Sequence, residues 1–132
     1  MKVAQVGSMI SDGGRHGKVE TPDGSFAVAF GSQTDSRVTP EHLFAGAYAA
    51  CFHSALQAVA ERAHVDMRGM TVISNVALEE DQNGSSALAV ELRVAMPGLN
   101  RRDGEHLLHL AHESCAYSRA SRGHIRVDVR LD

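Results

Sequence analysis

The chain has 132 residues, 43% of them hydrophobic and 22% charged, with a formal net charge of -3. That length suits one domain over residues 1–132 with a single core, burying somewhat under about 70% of its unfolded surface, and with no basic cluster longer than Arg101-Arg102 it sets nucleic acid aside as a partner. The opening Met1-Lys2-Val3-Ala4-Gln5-Val6 lacks the apolar run of a signal peptide, and no stretch approaches the about 18 uninterrupted apolar residues of a membrane span, so a soluble, cytoplasmic protein with no membrane partner is expected.

The residues up to about Met9 read as a strand, after which Ser11-Asp12-Gly13-Gly14 must turn, because two adjacent glycines accept backbone angles that other residues avoid. Arg15 is thereby presented from a loop. Lys18-Val19-Glu20-Thr21 and Ser25-Phe26-Ala27-Val28-Ala29-Phe30 flank the turn signal Pro22-Asp23-Gly24, which predicts a hairpin. Gly31 to Val38 is polar and reads as a surface loop. A helix then begins: Thr39 is a good N-cap, Pro40 occupies the first helical position where its missing N–H costs nothing, and Glu41 lies in the first turn, favoured by the helix dipole.

From Leu43 to Val59 this helix is apolar nearly all round, interrupted mainly by His53, Ser54 and Gln57, so it is expected to be enclosed on most sides, reaching water at Glu61, Arg62 and His64. Thr71 to Leu78 and Ala87 to Val94 form a second, longer hairpin about a polar turn carrying Asn83-Gly84. Pro97-Gly98 ends it. Asn100 caps the next helix with Asp103 at its third position, and Leu107, Leu108 and Ala111 make its apolar stripe, which Cys115 continues. The tail from His124 to Leu131 alternates strictly, turning Ile125, Val127, Val129 and Leu131 toward a core. Strands, a buried helix, a hairpin, a helix and a strand make an α+β pattern.

Two cysteines are present, Cys51 within the apolar helix and Cys115 at the end of the second. In a reducing compartment they are either inert core residues or a transient catalytic or sensing pair. A thiol among Ala, Phe and Tyr has a raised pKa and is inert by default, so a reactive Cys51 needs an imported positive charge. Of the eight histidines, His106, His109 and His112 recur every three residues and drift round their helix, and no Cys or carboxylate spacing completes a tetrahedral set. No metal and no cofactor are expected. His53 is expected at the margin of a site or a subunit seam, while Leu43, Phe44, Tyr48, Phe52 and Met96 could line an apolar pocket, with core packing the safer reading for most of them.

Gly13-Gly14-Arg15-His16-Gly17, Thr39-Pro40-Glu41-His42-Leu43-Phe44-Ala45, Tyr48-Ala49-Ala50-Cys51-Phe52, Cys115-Ala116-Tyr117-Ser118 and Arg122-Gly123-His124-Ile125 together resemble the OsmC/Ohr family, the osmotically inducible protein C and organic hydroperoxide resistance proteins. The resemblance runs in order from about residue 9 to the C-terminus, and its last two segments are closer to the organic hydroperoxide resistance branch. It implies an intertwined homodimer of α+β subunits, with antiparallel sheets around a buried central helix. It also implies a metal-free, cysteine-based peroxidase acting on organic hydroperoxides: Cys51 as the peroxidatic thiol, Cys115 as the resolving thiol, and Arg15 and Glu41 completing the site. The implied electron donor is a dithiol, typically protein-bound dihydrolipoamide. Three positions depart from the branch: Ala116 where Pro is usual, Arg119 where Asn is common, and Thr39 where Asn often precedes the Pro. None removes a reacting group.

Peroxide cleavage needs a thiolate attacking one oxygen while an alkoxide leaves, so a cation that stabilises both the sulfur anion and the developing oxyanion serves both ends. Arg15 qualifies because its guanidinium stays charged when desolvated, and Glu41 would hold it through a two-pronged contact. Glu41 and Cys51 are ten positions apart, about 15 Å along one straight helix. They cannot meet within it. Glu41 would therefore reach the thiol from a second subunit or act through the long arm of Arg15, and the all-apolar helix also favours an obligate dimer. Cys115 would condense with a Cys51 sulfenic acid to a disulfide. Two other functions stay open: a redox sensor using the same thiol pair without turnover, disfavoured by the lack of a DNA-binding helix pair, and a noncatalytic carrier of apolar ligands.

Overall fold

The computed structural model describes residues 1–31 and 37–132, so most of the loop expected over Gly31 to Val38 lies outside the described residues. Contacts group the chain into two compact units, Met1–Leu43 and Phe44–Asp132, and the division falls inside the long helix.

In the first unit, β1 (Ile10–Asp12), β2 (Lys18–Glu20) and β3 (Ala27–Ala29) form an antiparallel sheet in that order. The hairpin over Pro22-Asp23-Gly24 is present, with Lys18 opposite Ala29 and Glu20 opposite Ala27. Its turn is tied by one carboxylate: Asp23 Oδ1 accepts from Thr21 Oγ1 at 2.8 Å and from the Ser25 amide and hydroxyl at 3.0 and 2.7 Å. The first strand departs from expectation. Residues 1–9 form no regular element and the strand begins at Ile10, opposite Glu20. Continuing that register backwards would set Ser8 against Pro22, which has no N–H to offer, so the ladder stops where β2 runs into its turn.

Helix α1 (Pro40–Arg62) starts as its capping signals predict. Its cap is reciprocal: the His42 amide donates to the Thr39 carbonyl at 3.0 Å, while His42 Nδ1 accepts from the Thr39 amide at 3.0 Å. A histidine thus takes the place that Glu or Gln holds in a capping box.

In the second unit, β4 (Thr71–Glu80) and β5 (Ser86–Ala95) pair over ten positions, and Asp81 organises the connecting turn by accepting from the amides of Asn83 and Ser85 at 2.8 and 3.0 Å. Helix α2 (Arg101–Ser114) opens with Asn100 Oδ1 accepting from the Asp103 amide at 2.9 Å. A short helix α3 (Ala116–Ser121) follows, and β6 (Arg126–Leu131) closes the sheet in the order β4-β5-β6. The α+β class is as expected, but the sheet is mixed, because β6 runs parallel to β5. The α2–α3 segment supplies the long crossover that parallel neighbours require. Where α2 crosses β6, a Cβ on Gly104 would stand 2.9 Å from Leu131 Cδ2, so the absence of a side chain there permits the approach.

Tyr48, Phe52, Leu56, Val59 and Ala60 of α1 pack with Val90, Leu92 and Val94 of β5 and Leu107, Leu108 and Ala111 of α2 to form the core. Among the described residues, α1 is covered on one face. Gly46, Ala47, Ala50, Ser54, Gln57 and Ala58 are exposed, so within one chain the expected enclosure on most sides is not met. By length and composition alone this helix, with mean hydropathy 1.3, could cross a membrane, and 28% of that stretch is buried.

Candidate functional site

The 3₁₀ turn Gly14–His16 presents Arg15 from a loop closed by glycines. Gly13 and Gly14 have φ of 88° and 65°, a region that costs a side chain but not glycine. Gly17 closes the loop for a different reason: a Cβ there would lie 2.0 Å from the Asp12 carbonyl oxygen. Arg15 Nη1 and Nη2 then donate to Glu41 Oε2 and Oε1 at 2.8 and 2.7 Å, a two-pronged fork. The side chains differ in exposure, Arg15 at 48% and Glu41 at 14%. The Arg15 hydrogen bonds hold the Glu41 carboxyl down to about 2, against the opposing effect of burial. The result is a guanidinium fixed in orientation by a carboxylate that stays ionised throughout the neutral range.

In the second unit the structure brings together two cysteines 64 positions apart. Cys115 Sγ donates to Cys51 Sγ at 3.3 Å; both are free thiols, Cys51 half-buried and Cys115 buried. A disulfide needs about 2.05 Å, so a shift of roughly 1 Å would join them. Cys115 sits at the joint between α2 and α3, its amide still donating to Ala111 and its own φ and ψ, -63° and 127°, extended. Burial pushes its thiol upward, opposed by the Ser118 amide; the Cys51 contact raises it further.

Around the sulfurs lies a hydrogen-bonded set that sequence reasoning missed. Tyr48 Oη and Ser118 Oγ are 2.7 Å apart, and Ser118 Oγ is 2.8 Å from His112 Nδ1. Tyr48 is wholly buried, Ser118 1% exposed and His112 half-buried. Burial first, then the nearby sulfurs, raises the Tyr48 phenol despite its bond to Ser118. Burial, with Arg122 and His109 nearby, lowers His112. Spacing was the available signal: Tyr48 precedes Cys51 by three residues, one turn of α1, while His112 precedes Cys115 by three and Ser118 follows it by three.

Tyr48 and Phe52 belong to the core, with Phe44 and Met96 packed against it. An open groove of about 610 Å³ lies between α2 and β6, bordered by His109 and His112. Among the described residues no group of three or more His, Cys, Asp or Glu could hold a metal ion.

The profile of the OsmC-like protein family matches residues 33–130. The chain is 35% identical over 132 residues to organic hydroperoxide resistance protein-like 2 of Staphylococcus epidermidis, covering 95% of this chain and 92% of that one. It is 33% identical over 137 residues to an organic hydroperoxide resistance protein of Xanthomonas axonopodis pv. citri, covering 98% and 96%. Among solved structures, an organic hydroperoxide resistance protein OsmC from Legionella pneumophila superposes with a TM-score of 0.89 at 34% identity, over 99% of both chains.

Proposed function

The chain belongs to the OsmC-like family, and from that premise we propose that it is a cysteine-based peroxidase that reduces organic hydroperoxides to alcohols. The observation that carries this reading is the pair of free thiols with sulfurs 3.3 Å apart, one of them half-buried. Relatives named for organic hydroperoxide resistance support the substrate class.

In this reading the Cys51 thiolate attacks the terminal peroxide oxygen. The O–O bond breaks, the alkoxide takes up a proton and leaves as the alcohol, and Cys51 becomes a sulfenic acid. The fork between Arg15 and Glu41 supplies a preoriented positive charge for the thiolate and the leaving oxygen. The Cys115 sulfur then attacks the Cys51 sulfur, the S–O bond breaks, and water departs. A dithiol donor, such as protein-bound dihydrolipoamide, returns the disulfide to two thiols. The reaction needs neither metal nor cofactor, and the exposed apolar face of α1 is covered by a second copy of the chain in an obligate dimer.

The decisive experiment follows tert-butyl hydroperoxide and hydrogen peroxide consumption with dihydrolipoamide, glutathione or thioredoxin as donor, with mass spectrometry of the protein. Organic peroxide with dihydrolipoamide is expected to be fastest. Cys51→Ser abolishes turnover, and Cys115→Ser allows one oxidation and then over-oxidises at Cys51. Equal activity of Cys51→Ser and the parent protein overturns the reading. Mixed dimers of Cys51→Ser with an Arg15→Ala, Glu41→Ala variant test where the charge comes from: activity reappears if the fork acts across the subunit interface and stays absent if it acts within one chain.

A further inference from the structure

In the resting protein the Cys115 proton has an acceptor, because its S–H points at Cys51 Sγ at 3.3 Å. Once Cys51 is oxidised, that same sulfur must be the electrophile. It can no longer take the proton, yet Cys115 has to lose it to attack. The thiol will not release it unaided at neutral pH, since burial holds the proton on. A base must stand elsewhere.

Resting on the peroxidase reading above, we infer that His112, acting through the hydroxyl of Ser118, is the base that takes the Cys115 proton when the disulfide forms. Ser118 stands on α3 three positions after Cys115, its amide and its hydroxyl both hydrogen-bond toward the Cys115 sulfur, and its Oγ lies 2.8 Å from His112 Nδ1. Tyr48 Oη, 2.7 Å from the same oxygen, fills the remaining hydrogen-bonding position of the hydroxyl and fixes its direction. Ser118 is 1% exposed and Tyr48 fully buried, so water does not compete for this path. His112 is half-buried and borders the open groove between α2 and β6, giving the proton an exit to solvent.

The step balances. Cys115 passes its proton to Ser118 Oγ as Ser118 passes its own to His112 Nδ1. The sulfur pair then forms the S–S bond, the S–O bond of the sulfenic acid breaks, and the departing hydroxide with the proton released by the imidazolium makes one water. The groups around His112 set its readiness: His109 and Glu113 on α2, Arg122 after α3, and Arg101, Glu105 and Arg130 around the groove. Burial and the nearby cations keep the ring neutral to lower pH than an ordinary histidine, and in the tautomer protonated on Nε2 its Nδ1 accepts from Ser118 Oγ. Because it acts through Ser118, His112 is a positioning residue for the proton rather than a contact to substrate.

The test uses an aryl disulfide, 5,5′-dithiobis(2-nitrobenzoate), in place of peroxide. Cys51 attacks it and releases one thionitrobenzoate; Cys115 then displaces the second, so the second phase reads Cys115 deprotonation directly. His112→Asn keeps a hydrogen-bonding oxygen near the Nδ1 position but is no base. It should slow the second phase about ten- to hundredfold near pH 7 and leave the first unchanged, and Ser118→Ala should do the same. In the parent protein the second phase should fall as acid protonates His112 below the ordinary 6.5; in His112→Asn that inflection should vanish. Superimposable second phases for the parent and His112→Asn between about pH 5 and 8 overturn the inference, whatever the peroxide results. If the phases separate as expected but tert-butyl hydroperoxide fails to oxidise Cys51, the relay stands and the peroxidase reading falls.

Discussion

Arg15 is half exposed on a loop shaped by three glycines between strands of only three residues, whereas Cys115 is sealed at a helix joint against a core of fully buried aromatic and aliphatic side chains. The cation is positioned by backbone geometry and one ion pair, and the thiol by packing. Backbone turns place a charge without needing bulk, which suits a guanidinium that stays half exposed while one carboxylate fixes its orientation. Close packing excludes water and holds two sulfurs in near contact, as a reaction between them requires. Damage to the two regions should therefore look different: lost rate with little lost stability in the first unit, lost stability in the second.

The sharpest contrast comes from Phe52→Ala and Gly17→Ala. Phe52 is fully buried beside Cys51, and its truncation should lower unfolding free energy by about 3–5 kcal/mol, read from urea denaturation. Gly17→Ala cannot be accommodated without opening the Arg15 loop, since the new Cβ would meet the Asp12 carbonyl at 2.0 Å. Hydroperoxide turnover should fall roughly tenfold or more through misplacement of the guanidinium, with hydrogen exchange of β4–β6 unchanged. Exchange protection lost from that sheet as well would mean that the loop supports the core and that the contrast fails.

A smaller effect follows from acid. Glu41 is held at about 2 against an ordinary 4.5, so the stabilisation it contributes is fully present above about 4.5 and disappears as pH falls through about 2. The difference in denaturation midpoint between the parent protein and Glu41→Gln should be constant above that window and vanish at its acid end. A difference that persists at the acid end would assign the stability of the loop to its glycines and strands rather than to the ion pair.

The smallest effect tests the joint itself. Ala116 is the first residue of α3, where proline is favoured, and Cys115 before it already has the extended backbone that proline demands of its predecessor. Ala116→Pro should stabilise by about 0.4–1 kcal/mol, detectable as a raised thermal midpoint. A lowered midpoint would show that the joint needs the freedom that alanine leaves it.

Turn and cap chemistry is local, and it was legible in the residues. Pro22-Asp23-Gly24, Thr39-Pro40, Asn100 with Asp103, and the alternation from Ile125 to Leu131 each act over a few positions through their own hydrogen bonds and backbone limits, so the same signals appear in the structure. The resemblance to a family likewise needed only residue types in order. What the tertiary structure decided depends on long-range contact. No local rule turns β6 parallel to β5, stops the first ladder at Ile10, or leaves one face of α1 uncovered. Helix α3 escaped notice because six residues carry no periodic apolar stripe, and the path from Tyr48 through Ser118 to His112 because its bonds join residues 70 and 6 positions apart. Sequence by itself determined which side chains can carry charge, sulfur and cap; only the packing of α1 against α2 and α3 brought two sulfurs within 3.3 Å, because a distance between remote residues is set by the core that fills the space around them.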